Sequence, residues 1–362
     1  MLLKGPSRPS RALLASLLPG AILACTAACA ESRAAEAPNP RLGAWVTYWD
    51  LGRGMSRLSQ HQGVVEDVFF FVAELGADGR AALAIPGDQL EGSLRQLRGG
   101  RSRAWLTVVN DTRPGPGKPP KLKDAEAVHR MLADKEERAS HRRGILELAT
   151  RHGFSGVDID YENLLPEDRD RFSAFVRELR ADLTARGLEL SVTVQPKRQE
   201  SRSVGPGAAD WAELCASADR VQVMLYNLHS SRTGPGPLAE RQWVREVLGY
   251  GRSQCDPGRL VPVLKLAGMD WGPRGTKDIS HADASALISA QGASLKREAE
   301  GTPFFRYEGK DGAHTVYFED AESVLLKVSW LEELGYNSVV FWSLGREDPE
   351  LLSRVERGSA AH

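Results

Sequence analysis

A chain of 362 residues, of which 41% are hydrophobic, has enough apolar side chains to bury a large core. This composition excludes an intrinsically disordered chain. The formal net charge of −1 shows no excess of basic residues of the kind that binds nucleic acid, so no nucleic-acid partner is expected.

The first thirty residues have the layout of a secretory signal. Lys4, Arg8 and Arg11 precede an apolar run at 12–24, and small residues follow it. The run is shorter than the about 20 apolar residues of a transmembrane helix, so we interpret 1–30 as a signal peptide. The protein is therefore expected to be exported, as a periplasmic, cell-envelope or secreted protein.

Two processing sites are compatible with this signal. The segment 22–25 resembles a lipoprotein lipobox with Cys25 as the lipidated residue, whereas 28–30 resembles an ordinary signal-peptidase site. In the first case a lipid anchor would be the protein's contact with the membrane. Residues 31–40, rich in Ala, Glu, Pro and Asn, are interpreted as a linker.

Short apolar runs then alternate with segments of helical periodicity. Such runs are typical of strands buried on both faces of a parallel sheet. They cover residues 43–49, 66–73, 104–109, 156–162, 188–194, 220–226, 260–266 and 338–342. Eight strands over about 300 residues predict a (β/α)₈ TIM barrel at 41–355, followed by a tail at 356–362. A doubly wound sheet is the alternative fold.

The segment after the seventh run is longer than a barrel connection requires. Aromatic and β-branched residues at 304–307 and 315–318 flank a glycine-containing turn at 309–312, which is typical of a hairpin. We therefore predict a small α+β insertion at about 268–318, between strand seven and the last helix.

Three carboxylates occupy alternate positions of the fourth run. Asp158, Asp160 and Glu162 would share one strand face, because strand side chains repeat every two residues. Barrel enzymes place their active sites at the carboxyl ends of the strands, and clustered buried carboxyls have raised pKa values that suit a general acid. A solvated strand face and an oxygen-ligand metal site are the alternatives.

The stretch 155–162 resembles the Asp-Gly-x-x-Asp-x-Asp-x-Glu signature of glycoside hydrolase family 18, the chitinase-like barrels, with Ser155 in place of the leading acid. The segments 190–197, 222–227 and 341–342 resemble further motifs of the family. The segments 268–271, 317–320 and 341–349 resemble its spore-germination and cortex-lytic N-acetylglucosaminidase branch.

The resemblance implies an exported, monomeric, retaining glycosidase that acts on β-linked N-acetylglucosamine polymers, either peptidoglycan or chitin-like chains, without metal or cofactor. Glu162 would be the general acid and base, and Asp160 would orient the substrate's acetamido group. Asp158 would support Asp160, and Tyr226 would bond the acetamido oxygen. A catalytically silent glycan-binding barrel is the alternative function.

The resemblance also implies a set of substrate-binding residues. Trp342 would stack under the sugar, and the remaining candidates are Met224, Asn227, Gln195, Tyr48, Asp270 and Trp271. Packing in the barrel interior is the alternative for Met224, Tyr226 and Trp342, as it is for Tyr48. For Asp270 and Trp271 the alternative is a loop that anchors the insertion.

Two cysteines remain beyond the signal segment. Cys215 precedes the sixth strand and Cys255 precedes the seventh, so both are expected near the amino-terminal face of a barrel, on neighbouring units. Export provides an oxidising setting, and we therefore expect a disulfide between them rather than two buried thiols.

Overall fold

The computed structural model describes residues 40–76, 78–113 and 119–360. The predicted signal peptide at 1–30 with Cys25, and the linker up to residue 39, lie outside the described residues. Among the described residues, none of the helices combines the length and the hydropathy that crossing a bilayer requires.

Fourteen strands occur in the part of the chain that the structure describes. They are β1 (Arg41–Thr47), β2 (Asp67–Leu75), β3 (Ala81–Leu83), β4 (Arg103–Thr112), β5 (Gly156–Asp160), β6 (Glu189–Val194), β7 (Arg220–Met224), β8 (Leu260–Lys265), β9 (Gly268–Gly272), β10 (Gly275–Ile279), β11 (Lys296–Arg297), β12 (Pro303–Gly309), β13 (Gly312–Tyr317) and β14 (Ser338–Trp342).

Ten α-helices connect or follow these strands over the same described ranges. They are α1 (Leu51–Gln60), α2 (Gly87–Leu97), α3 (Ala125–Ala133), α4 (Lys135–His152), α5 (Arg169–Thr184), α6 (Trp211–Ser217), α7 (Arg241–Gln254), α8 (His281–Gln291), α9 (Ala321–Glu333) and α10 (Glu350–Ala360).

Eight of the strands close into a parallel barrel. Their order is β1, β14, β8, β7, β6, β5, β4 and β2, and β2 pairs back onto β1. The (β/α)₈ prediction is confirmed, and the closure excludes the doubly wound sheet, which would leave two free edges. Closure also brings the carboxyl ends of all eight strands to one rim.

Large aromatic side chains fill the barrel, and an ion-pair group closes its amino-terminal end. Trp45, Phe69 and Trp105 are at most 1% exposed and pack ring against ring. Below them, Asp67 accepts hydrogen bonds from Trp105 and Arg103, and its other oxygen lies 2.7 Å from Arg220. The packed interior means that a ligand has access from the opposite, carboxyl-terminal rim.

The predicted insertion is a five-stranded antiparallel sheet with one helix against it. The strand order is β10, β9, β13, β12 and β11, and the β12–β13 hairpin ends at the pair Gly309 and Gly312. Helix α8 begins at a capping box formed by Ser280 and Asp283 and buries Ala284 beside Phe305. The unit follows β8 and leads into α9, as the sequence predicts.

The carboxyl-terminal boundary differs from the prediction. Residues 356–360, which we expected to be a tail, belong to α10. The helix is held at its start by Leu351 and Leu352, which are fully buried against the barrel.

Cys215, in α6, and Cys255, directly after α7, are joined in the structure with their Cα atoms 5.6 Å apart. Because the bridge closes a loop of sequence separation 40, its reduction is expected to lower the free energy of unfolding by ~4 kcal/mol. Denaturation with and without reductant, with a Cys215→Ala/Cys255→Ala variant as control, measures this difference. Recovery of both cysteines as alkylated thiols from unreduced, denatured protein would contradict the bridge.

Candidate active site

Asp158 forms the base of the acidic cluster. It is fully buried and accepts hydrogen bonds from Thr107 Oγ1 on β4 (3.2 Å), Thr193 Oγ1 on β6 (3.0 Å) and Gln222 Nε2 on β7 (3.0 Å). Burial raises the pKa of Asp158, and these donors oppose the rise without cancelling it. Its position is therefore fixed from three sides.

Asp160 lies one strand repeat further along β5 and is 5% exposed. Its Oδ1 atom is buried without a hydrogen-bond partner among the described residues. Burial raises the pKa of Asp160 well above its usual range, and the negative charges of Glu162 and Asp158 raise it further. The carboxyl group is thus poised to hold a proton and to accept a hydrogen bond from a ligand.

Glu162 follows β5, and its backbone is fixed by the side chain of Asn110 at the end of β4. The Glu162 N–H donates to Asn110 Oδ1 (3.0 Å), and its carbonyl accepts from Asn110 Nδ2 (2.9 Å). The Glu162 side chain is 18% exposed, and Lys123 Nζ lies 2.5 Å from its Oε1 atom. Its carboxylate is therefore held in an ion pair at the rim of the barrel.

Replacing Asn110 by alanine is expected to lower the free energy of unfolding by about 2 kcal/mol, because both backbone groups of Glu162 lose their partner. Chemical denaturation measures the change. Gln195→Ala is the matched control: it removes two longer contacts, each 3.3 Å, to the adjacent residue Asn163 and should cost less. An Asn110 variant as stable as the parent would contradict this positioning role.

A cavity of about 410 Å³ opens at this rim. Carboxylates, two lysines and aromatic rings line it. They include Asp160, Glu162, Lys123, Tyr48, Tyr226 and Trp342. A larger cavity of about 750 Å³, which Leu42 and Phe341 help to line, does not include the acidic cluster. Among the described residues, no group of three or more His, Cys, Asp or Glu side chains is arranged to hold a metal ion.

Tyr226 and Trp342 are held firmly within this cavity. Tyr226 is 9% exposed, and burial followed by the charges of Glu162 and Asp160 raises its pKa well above the usual range, so it keeps its O–H donor. The half-buried Trp342 ring packs edge-on against Trp45 and Phe71, with centroids 5.6 and 5.1 Å away. The cavity thus offers a fixed donor and a fixed aromatic platform.

Among the other predicted substrate-binding residues, Tyr48 and Asn227 line the cavity. Asn227 is exposed and has a left-handed backbone with φ 62°, which asparagine tolerates better than most residues. Met224 is 5% exposed and packs in the barrel interior, away from the lining. Gln195 also lies outside the lining, where its amide contacts Asn163.

Asp270 and Trp271 lie on β9 and do not line the cavity. Asp270 accepts from Tyr307 Oη (2.8 Å) and lies 2.8 Å from His314 Nδ1, both within the inserted sheet. Trp271 donates from Nε1 to the carbonyl of Ser230 (3.1 Å), in the connection after β7. These contacts agree with the alternative interpretation, an anchor for the insertion.

Sequence reasoning did not identify Asn110, Lys123, Lys265 or Asp278. Lys265 Nζ lies 2.6 Å from Asp278 Oδ1, so β8 and the inserted β10 place an ion pair at the cavity. The polar residues Asn110 and Asp111 directly follow the third apolar run and so could have been identified as site candidates from the sequence. They lie near the end of β4, the strand that pairs with β5. No local pattern marks Lys123.

A closed parallel barrel with a carboxylate cluster at the carboxyl ends of its strands is the arrangement of a barrel enzyme. The family model of the glycosyl hydrolases family 18 matches residues 123–347, more than half of the chain. The chain therefore belongs to glycosyl hydrolases family 18.

The chain is similar to a curated relative and to solved structures. The cortical fragment-lytic enzyme of Bacillus subtilis (strain 168) is 30% identical over 217 residues, which are 57% of this chain and 50% of the relative. The chain spans about half the length of the curated relatives that it matches first.

Two solved structures share the fold over most of the chain. The chitinase from Chromobacterium violaceum ATCC 12472 has a TM-score of 0.77 at 26% identity and covers 89% of this chain and 99% of its own. The Bacillus cereus spore cortex-lytic enzyme SleL has a TM-score of 0.77 at 22% identity, and the match covers 89% of this chain and 74% of the SleL chain.

Proposed function

We propose that this protein is an exported, retaining glycoside hydrolase that cleaves β-linked N-acetylglucosamine-containing polysaccharide, either peptidoglycan or a chitin-like chain. The observation that carries the proposal is the buried Oδ1 of Asp160, which has no hydrogen-bond partner among the described residues and lies in one cavity with Glu162 and Tyr226. The names of the relatives, a cortical fragment-lytic enzyme and a chitinase, support the substrate class.

In the first step, Glu162 donates a proton to the glycosidic oxygen, and the substrate's own acetamido oxygen attacks the anomeric carbon. The bond to the leaving sugar breaks as the oxazolinium ring closes. Asp160 accepts the acetamido N–H and offsets the positive charge that develops, while the Tyr226 O–H donates to the acetamido oxygen. The Oδ1 atom of Asp160 is suited to this role because, within the part of the chain that the structure describes, no donor competes for it.

In the second step, Glu162 takes a proton from water. The water oxygen bonds to the anomeric carbon, and the oxazolinium ring opens there. Two successive inversions return the original β configuration. The Trp342 ring would support the apolar face of the sugar throughout, because its packing against Trp45 and Phe71 keeps it in place.

Export remains part of the proposal, because the signal segment lies outside the described residues. The contact between Cys215 and Cys255 supports it, since disulfides persist in oxidising compartments. We also keep the prediction of a monomer.

Digestion of purified peptidoglycan and of chitin side by side, with mass analysis of the products, tests the activity and its substrate. Proton NMR during hydrolysis of an N-acetylglucosamine oligomer should show the β anomer first, and a thiazoline mimic of the cyclised intermediate should inhibit. Formation of the α anomer would contradict substrate assistance. Binding without any product would favour the silent glycan-binding alternative.

A further inference from the structure

A buried histidine on α4 contacts the tyrosine that lies between Asp160 and Glu162. His141 is fully buried, and its Nε2 atom is hydrogen-bonded to the Oη atom of Tyr161. The Nδ1 atom of the same ring lies 2.8 Å from the carbonyl oxygen of Gly79, in the turn between β2 and β3. One imidazole ring therefore connects three parts of the chain: the β2–β3 turn, α4 and the segment at the end of β5.

The Gly79 contact determines the direction of both hydrogen bonds. A carbonyl oxygen only accepts, so Nδ1 of His141 carries the proton and donates to Gly79. Burial lowers the pKa of His141 to about 4, so the ring is neutral near pH 7 and its Nε2 atom is an acceptor. The Tyr161 O–H must therefore donate to Nε2, and burial raises the pKa of Tyr161, which keeps this proton on the tyrosine.

Packing holds His141 and Tyr161 in this arrangement. Helix α4 lies close to the start of β3 because Gly144, nearly one helical turn after His141, has no side chain. A Cβ atom there would lie 3.1 Å from the Ala81 nitrogen. The Tyr161 ring is 6% exposed and stacks on Phe175 of α5, with ring centroids 6.1 Å apart. Movement of either side chain therefore requires repacking against α4 or α5.

The backbone at Glu162 depends on side-chain contacts because β5 ends before it. The registered pairs of β5 with β4 and β6 extend no further than Asp160. On the barrel side, Asn110 bonds both backbone groups of Glu162. On the opposite side, Tyr161 points to the helices, where it contacts His141. The segment that carries Glu162 is thus held from the barrel by Asn110 and from the helices by His141.

We propose that His141 is a positioning residue for the hydrolysis: by accepting the Tyr161 O–H, it fixes the main chain next to Glu162 and so the position of the Glu162 carboxyl at the glycosidic oxygen. The inference rests on the proposed function for the role of Glu162. Loss of the contact should lower kcat at least about tenfold, because a small displacement of a catalytic group costs much of its effect. KM should stay within about twofold of the parent's value, since neither His141 nor Tyr161 lines the cavity.

The first test compares Tyr161→Phe with Tyr336→Phe. Each change removes one hydroxyl from a buried tyrosine and leaves the ring in place. Tyr336 is 3% exposed, lies outside the cavity lining, and accepts from Arg252 Nε (3.4 Å). Tyr161→Phe alone should lower kcat with nearly unchanged KM. A kcat in Tyr161→Phe equal to that of the parent would overturn the proposal.

The second test separates positioning from stability at His141 itself. In His141→Gln the amide oxygen can replace Nε2 and accept from Tyr161, whereas the shorter amide of His141→Asn can replace Nδ1 and donate to Gly79 alone. We expect His141→Gln to keep kcat within about threefold of the parent's value and His141→Asn to lose at least about tenfold. Each variant loses one of the two contacts, so a merely structural role predicts similar losses. Equal kcat values in the two variants would contradict the proposal, and this pair decides the question if Tyr161→Phe does not fold.

Hydrogen exchange at the Glu162 amide, followed by NMR, tests the positioning without turnover. In the parent this N–H donates to Asn110 Oδ1 (3.0 Å) and should be protected. Tyr161→Phe should exchange it about tenfold faster, and Tyr336→Phe should not change its rate. If the parent hydrolyses no glycan while the exchange rates differ as expected, the proposed function alone is refuted. If the parent is active and Tyr161→Phe exchanges this amide at the parent's rate, the positioning role alone is refuted.

Discussion

Replacing Glu162 with glutamine is expected to lower kcat on a chromogenic N-acetylglucosaminide oligomer by about 10²- to 10⁴-fold, with glycan binding retained. The amide has the shape of the carboxyl group but cannot transfer a proton to the leaving oxygen. The Asn110 contacts to the Glu162 backbone do not involve the altered side chain, so the local structure should persist. Initial rates and calorimetric binding of an oligomer measure the two effects.

Glu167→Gln is the matched control for this experiment. Glu167 is exposed in the short helical turn before α5, in the same connection as Glu162, and should be replaceable without effect on turnover. Unchanged turnover in Glu162→Gln would remove Glu162 from its proposed role. Turnover and binding lost together with stability would indicate a structural role instead.

Replacing Asp160 with asparagine is expected to lower kcat by at least about 10²-fold, because the amide cannot carry the negative charge that offsets the oxazolinium ion. Stability should change in the opposite direction. Burial raises the folded-state pKa of Asp160 above its unfolded value, so ionisation of this group destabilises the fold increasingly as the pH rises above about 4. At neutral pH the uncharged variant should therefore unfold at a higher denaturant concentration than the parent.

Asp170→Asn provides the control, since Asp170 is an exposed residue in the first turn of α5. It should leave kcat unchanged. Opposite changes in turnover and stability are characteristic of a residue that is kept for function. An Asp160→Asn variant that turns over the substrate at the parent's rate would exclude substrate assistance by this residue.

The sequence predicted the architecture well because the signals for buried strands are local. All eight apolar runs overlap barrel strands, and the run at 156–162 corresponds to β5 at Gly156–Asp160. The hairpin of the insertion was predictable for the same reason, since turn glycines and alternating residues act within a few positions. The predicted tail at 356–362 is helical as far as Ala360 in the structure, as part of α10, which begins where Leu351 and Leu352 are buried.

For the site, the sequence by itself determined that Asp158 and Asp160 share one face of β5, because the two-residue repeat is a property of the strand alone, and that Glu162 follows them at the carboxyl end of the strand. Only the tertiary structure decided which groups meet them. Pairing of β4 with β5 brings Asn110, on β4, and Lys123, in the segment after β4, to Glu162, and the inserted sheet places Asp270 against Tyr307 and His314. Contacts between residues far apart in the chain depend on how the strands assemble, and no local pattern contains that information.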